Sequence, residues 1–180
     1  MARESEGLYK QPRQSSDIPA TSTGVSSLKT MTEELDAPLH TLGFEIDELS
    51  PSIVSGTLLV SPKCCQPFKV LHGGVSAMIA EALASIGAYL ACGMKRVAGV
   101  HLSIHHVRSA ELADLVLARA TPLSNGRTIQ VWEVKLWKTD PARIKNEQLI
   151  SSARVTLVCS LPVPAHLGDV SEPFRRYAKL

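Results

Sequence analysis

The chain has 180 residues, of which 44% are hydrophobic and 20% charged, enough for one domain with a real core. A formal net charge of +2 and an aromatic content of 4% argue against a dedicated nucleic-acid binder, which needs a clustered basic face or stacking platforms. Glu81 and Ser85 interrupt the longest apolar run, so no membrane span is expected. The cysteines are Cys64, Cys65, Cys92 and Cys159; none forms a C-x-x-C pair, and ordinary reduced thiols are expected.

In chain order, residues 1–27 are rich in Ser, Thr, Pro and charge and lack apolar periodicity, which predicts a disordered extension. Arg3, Lys10 and Arg13 are balanced by Glu4, Glu6 and Asp17, unlike an acid-poor organellar transit peptide, and the segment has no apolar signal region. The domain is expected over 28–162, followed by a tail over 163–180.

Leu35 to Leu42 predicts a short helix feeding Gly43. Phe44 to Leu49 alternates apolar and acidic residues, the pattern of a half-buried strand. Ile53 to Val60 predicts a second strand, with Gly56 marking a bulge or a close approach. Residues 61–72, with Pro62 and Pro67, are expected to loop, and Gly73 to about Ala91 to form a helix. Strands are predicted near 97–107, 114–122, 128–138 and 149–160, with 139–147 as a polar hairpin connection.

The predicted helix is apolar on nearly every side: Val75, Met78, Ile79, Leu83, Ile86 and Leu90, with alanines filling most of the rest. Such a helix is expected to be buried on nearly every face, and its alanines keep it thin enough for a sheet to approach. One buried helix, two strands before it and about four after it predict an α+β hotdog fold, a curved antiparallel sheet wrapped around the helix. Unpaired edge strands would remain for a dimer to use.

Within this helix sits one acid, Glu81. A buried carboxylate costs several kcal/mol, of the order of ~3 or more, unless it is paired or reaches a wet cleft. Ser85 follows at i+4, on the same face. Gly73 and Gly74 open the helix, where free N–H groups and the dipole favour negative charge and no side chain blocks approach. An oxyanion donor and a carboxylate on one element are the two parts that attack on an acyl carbon needs. The bland alternative for Glu81 is an interface salt bridge or a solvated helix face. Gln66 could donate to a carbonyl or orient water, though a lone loop Gln is more often a surface residue, and His72 is more often a helix cap than a catalyst. On a strand, His101 and His105 share one face and His106 points oppositely; no acid or Cys completes a metal set, and neither metal nor cofactor is expected.

The pattern Gln66-x5-His72-Gly73-Gly74-x6-Glu81-x3-Ser85 resembles the motif of the hotdog acyl-CoA thioesterases that carry their acid on the central helix and hydrolyse aryl-CoA substrates. The strings CCQPFKVLHGGVSAMIAEALASIGA, GVHLSIHHVRSA and GRTIQVWEVKLWK are similar to the plant branch acting on 1,4-dihydroxy-2-naphthoyl-CoA in phylloquinone synthesis, and the resemblance covers about 35–162. It implies Glu81 as nucleophile or general base and the Gly73 N–H as the donor that polarises the thioester carbonyl. It further implies that Gln66 orients the carbonyl or water and that Ser85 holds the water or Glu81. His72, Gly74 and His106 would line the substrate site, with His105 standing where relatives often carry Asn. Arg127 and Thr128 would contact CoA phosphate. A homo-oligomer, dimer or tetramer, is implied because such sites lie between subunits.

The chain closes on Ala178-Lys179-Leu180, which resembles a peroxisomal address read by an import receptor. The alternatives are a broad acyl-CoA thioesterase of the same compartment, a dehydratase of the same fold, disfavoured by the glycines after His72, and a non-catalytic acyl-CoA binder, disfavoured by Glu81.

Overall fold

The computed structural model describes residues 30–140 and 143–180; the extension read over 1–27 lies outside them. Two short helices, α1 (Met31–Leu35) and α2 (Ala37–Leu42), enter the fold. Thr30 caps α1 and Asp36 caps α2, each side chain accepting a hydrogen bond from an otherwise unpaired N–H. Thr32 pins α1 to the first strand: its buried hydroxyl accepts from the Ile46 N–H at 2.8 Å and donates to Glu45 Oε2 at 3.2 Å.

The strands are β1 (Phe44–Leu49), β2 (Val54–Leu59), β3 (Arg96–His106), β4 (Leu115–Asn125), β5 (Ile129–Asp140) and β6 (Arg143–Leu161). They form one sheet in the order β1-β2-β4-β5-β6-β3, every pair antiparallel. The long helix α3 (Gly73–Ala91) lies between β2 and β3 in the chain. It carries the chain from one half of the sheet to the far edge and packs against β2 to β6, which is the hotdog arrangement. The shift in register between Ile46 and Glu48 sits beside Gly56. A Cβ there would fall 2.5 Å from the Phe44 ring, so Gly56 marks a close approach.

α3 begins where His72 turns the chain, with its side chain as N-cap, and ends at Cys92 before Gly93 takes a left-handed conformation (φ 73°). Its small residues do more than thin it. Gly87 leaves a slot for the fully buried Trp132 of β5; a Cβ on Gly87 would lie 2.5 Å from that ring. The indole N–H is satisfied by Gln130 Oε1 at 2.9 Å. By length and composition α3 could cross a membrane, contrary to the expectation from its interrupting polar residues, but 67% of its most apolar stretch is buried inside the fold.

Two expectations need correction. The polar stretch 139–147 is not simply a connection: β5 runs to Asp140 and β6 starts at Arg143, with Lys138 paired to Gln148. Backbone pairing continues past the core because a hairpin ladder needs no buried face. The tail beyond 162 packs against the domain. A short helix, α4 (Glu172–Tyr177), lays Phe174 against Tyr89 of α3 at 4.8 Å between ring centroids, and the Lys179 N–H reaches the Leu49 carbonyl at 2.9 Å. Finally, Glu81 is not a buried carboxylate: α3 is buried on most faces, but Glu81 lies on an open one. Gly74, Met78 and Glu81 are exposed and Ser85 is half-buried, a stripe at helical spacing along one face.

Candidate active site

The start of α3 is built by the loop before it. Gln66 donates its N–H to Val70 O and accepts from the Lys69 N–H, a tight turn with Lys69 left-handed (φ 60°). The His72 N–H donates to Cys64 O, and the His72 carbonyl accepts the Val75 N–H. The buried Cys64 sulfur is itself tied to Ser61. Burial, and then the neighbouring Cys64, push the Cys65 thiol up from its ordinary value, which favours the inert thiol over thiolate. All four cysteines are free.

His72 Nδ1 accepts the Gly74 N–H at 2.9 Å. Gly74 therefore has no free N–H for a ligand. The Gly73 N–H, first in the helix, has no partner among the described residues. His106, at the end of β3, stands directly over it: a Cβ on Gly73 would lie 3.2 Å from the His106 ring. Gln66, Gly73 and His106 line one cavity of about 420 Å³ together with Ser76, Arg108 and Ser151. Ser151 Oγ is buried there without a hydrogen-bond partner among the described residues. This cavity offers a helix-start donor, an amide and a hydroxyl to a polar acyl or pantetheine-like chain.

Glu81 sits on the exposed stripe of α3, not in the core. Ser85 Oγ donates to Glu81 Oε1 at 2.6 Å, a short charge-assisted bond that fixes the carboxylate. Gly99 of β3 makes room for the same oxygen; a Cβ there would lie 3.0 Å from it. Glu81 is eight residues beyond Gly73, about 12 Å along the helix axis. One chain therefore presents the donor and the carboxylate at separate places.

Arg127 and Thr128 stand exposed in the β4–β5 turn, tied by backbone carbonyls to Ser160 and Cys159, and neither lines the cavity of Gln66 and Gly73. His105 lies apart from His106, beside Glu133, Ser152 and Arg154. Among the described residues no group of three or more His, Cys, Asp or Glu could hold a metal ion. Ser76, Ser151 and Gly99 are absent from the sequence reading. Ser76, one turn after Gly73, was accessible through helical spacing; Gly99 and Ser151 carry no local signal.

A curved antiparallel sheet around an apolar helix, with an unpaired donor at the helix start and one fixed carboxylate on its exposed stripe, defines a thioester hydrolase of the hotdog class. The profile of the thioesterase superfamily matches residues 68–145. The chain is 56% identical to the 1,4-dihydroxy-2-naphthoyl-CoA thioesterase 2 of Arabidopsis thaliana, over 79% of this chain and 91% of that one. It is 36% identical to the 1,4-dihydroxy-2-naphthoyl-CoA hydrolase of Listeria monocytogenes, over 66% of this chain and 91% of that one. Among solved structures it is similar to a thioesterase from Haemophilus influenzae, with a TM-score of 0.62 and 32% identity, covering 71% of this chain and 85% of that one. The chain belongs to the thioesterase superfamily and is an enzyme of that family.

Proposed function

We propose that this enzyme hydrolyses an aryl-CoA thioester, 1,4-dihydroxy-2-naphthoyl-CoA foremost, giving the naphthoate and CoA for phylloquinone synthesis, at a site shared by two copies of the chain. The substrate reading rests on the plant and bacterial relatives named for that ester. The shared site rests on one observation. Glu81 stands over Gly99 and Gly73 under His106, so the two halves lie near opposite ends of edge strand β3. An antiparallel pairing of two β3 edges, centred between Leu102 and Ser103, sets Gly99 of one copy opposite His106 of the other. Glu81 of one copy then approaches Gly73 and Gln66 of the second. The same pairing covers Val100, 58% exposed, and the Met78 side of the open stripe.

In this reading the thioester carbonyl accepts the Gly73 N–H, and Gln66 orients it. The Glu81 carboxylate of the other copy, held by Ser85, either attacks the carbonyl carbon or takes a proton from an attacking water. The tetrahedral oxyanion forms at the helix start, where the dipole stabilises it. The C–S bond then breaks, CoA leaves as its thiol, and water's oxygen ends in the carboxylic acid. Arg127 and Thr128 would reach CoA only across such an assembly.

A dimer is the smallest active unit, and a tetramer fits the same logic. We also propose peroxisomal residence through Ala178-Lys179-Leu180. Leu180 is 76% exposed, but Lys179 is bonded to Leu49, so a receptor would have to lift the last residues from the domain. The alternative reading is a thioesterase of many acyl groups. A thiol-release assay comparing kcat/KM over dihydroxynaphthoyl-, benzoyl- and linear acyl-CoA separates the two: a preference for the naphthoyl ester supports the narrow reading, and equal rates overturn it.

A further inference from the structure

A second cavity, of about 290 Å³, begins where Ser85 leaves Glu81. Ser85 is therefore both the residue that fixes the carboxylate and a wall of this space. From Ser85 the cavity runs along Ile86 and Tyr89 of α3 and Val97 of β3. Its outer side is formed by Leu167, Val170 and Phe174, which belong to the segment after the last strand. The lining is apolar except for Ser85 at one end, the exposed Arg96, and Tyr89. Tyr89 is nine-tenths buried, and its Oη has no hydrogen-bond partner among the described residues. A buried hydroxyl without a partner costs about 1–3 kcal/mol, so the position is suited to a ligand oxygen that supplies one.

The outer wall is fixed rather than loose. The buried Ser171 donates to Asp169, which also accepts from Arg175 at 2.9 Å. Arg176 spans Glu172 at 2.6 Å and Glu34 of α1 at 3.0 Å. Phe174 stacks on the Tyr89 ring itself. Phe174 thus holds the segment to α3 and Arg176 ties it to α1, and neither has a part in the thioesterase motif.

We propose that the segment Val163–Phe174 is the specificity-determining wall of the acyl subsite, and that the Tyr89 hydroxyl contacts a ring hydroxyl of an aromatic acyl group. This rests on the reading of Glu81 and Ser85 as the reacting end of the site. A thioester whose carbonyl lies at Glu81 sends its acyl group past Ser85 into this cavity and its CoA toward the cavity of Gln66 and Gly73. A flat hydroxylated ring matches a mostly apolar slot whose wall includes one buried, unpaired hydroxyl. A linear chain leaves the hydroxyl unpaired.

The test uses full-length protein with Tyr89→Phe and, separately, Val170→Trp, which fills the slot from its exposed rim and leaves the core alone. Rates are measured on dihydroxynaphthoyl-CoA, naphthoyl-CoA without ring hydroxyls, and acetyl-CoA. Tyr89→Phe should lower kcat/KM about tenfold on the hydroxylated ester alone, the worth of one hydrogen bond. Val170→Trp should lower it about tenfold or more on both naphthoyl esters and spare acetyl-CoA. A role for Tyr89 in stability alone would lower all three rates together, and that result overturns the contact. Wild-type activity on aryl esters with a specificity ratio that neither variant moves overturns the wall while leaving the proposed function standing. Wild-type protein inactive on every aryl ester overturns the substrate reading itself.

Discussion

Gly99→Ala isolates the position of the Glu81 carboxylate from its chemistry. A Cβ on residue 99 would lie 3.0 Å from Glu81 Oε1, where ordinary contact begins near 3.4 Å. The obstacle is the far end of a flexible side chain, so the carboxylate yields by a few tenths of an ångström and the backbone stays. That same oxygen accepts the 2.6 Å bond from Ser85, which must lengthen or turn with it. A misplacement of ~1 Å costs about a hundredfold in rate, so about half of that shift costs roughly tenfold. Gly99 lies in an edge strand, beside a shift in register, without a positive φ, so Ala is allowed there and trims the freedom of the unfolded chain; stability should change by less than ~1 kcal/mol. The assay is thiol release on dihydroxynaphthoyl-CoA, with a thermal melt and sedimentation in parallel, because β3 is also the pairing edge proposed above. The expected result is a kcat down about tenfold, a KM less affected, and an unchanged melt and assembly. Wild-type kcat in the folded assembly would refute the claim that Gly99 sets the carboxylate's place.

Further outcomes follow from the same geometry. Gly87→Ala drives a methyl into the Trp132 ring at 2.5 Å, between two elements that cannot part, and should destabilise the domain by about 3 kcal/mol, read as a loss of ~10 °C in Tm; an unchanged melt would mean the helix and β5 are less tightly joined. Val100→Glu places a charge on the exposed edge of β3 and should give a folded monomer with little activity; a fully active monomer by sedimentation at assay concentration would contradict the shared site. Removing residues 178–180 takes away little packing and should leave activity intact while moving the protein from peroxisomes to the cytosol; continued import of the truncated chain would sink the address.

Local chemistry made much of this fold legible. Gly73 and Gly74 after a capping His, and Gly93 after an alanine-rich run, bound α3 because helix ends demand those residue types whatever surrounds them. Alternation in Phe44–Leu49 gave β1 for the same reason: burial on one face needs a period of two. What depended on distant partners was not legible. The exposed stripe of α3 exists because β3 lies at the sheet's edge, and nothing within residues 73–91 encodes which strand ends up there. Glu81 was accordingly read as buried. Gly87 carries no local sign that Trp132 needs its space. The docking of the tail joins residues far apart in the chain, Phe174 to Tyr89 across 85 positions, Arg176 to Glu34 and Lys179 to Leu49, so no local pattern announces it. Arg127 and Thr128, assigned by resemblance, stand away from the cavity of their own chain, as a contribution across subunits would require.

The central claim is that Glu81 carries the chemical step. Glu81→Gln keeps the side chain's size and its hydrogen bond with Ser85 but removes the charge, and Glu81 is exposed in the single chain, so the fold has little reason to respond. Thiol release from dihydroxynaphthoyl-CoA by the purified assembly, run beside a thermal melt, measures this directly. The expected result is a kcat at least ~100-fold lower with a much smaller change in KM and an unaltered melt. A folded, assembled Glu81→Gln enzyme with near-normal kcat would contradict the account and turn attention to His72 or His106 as the base.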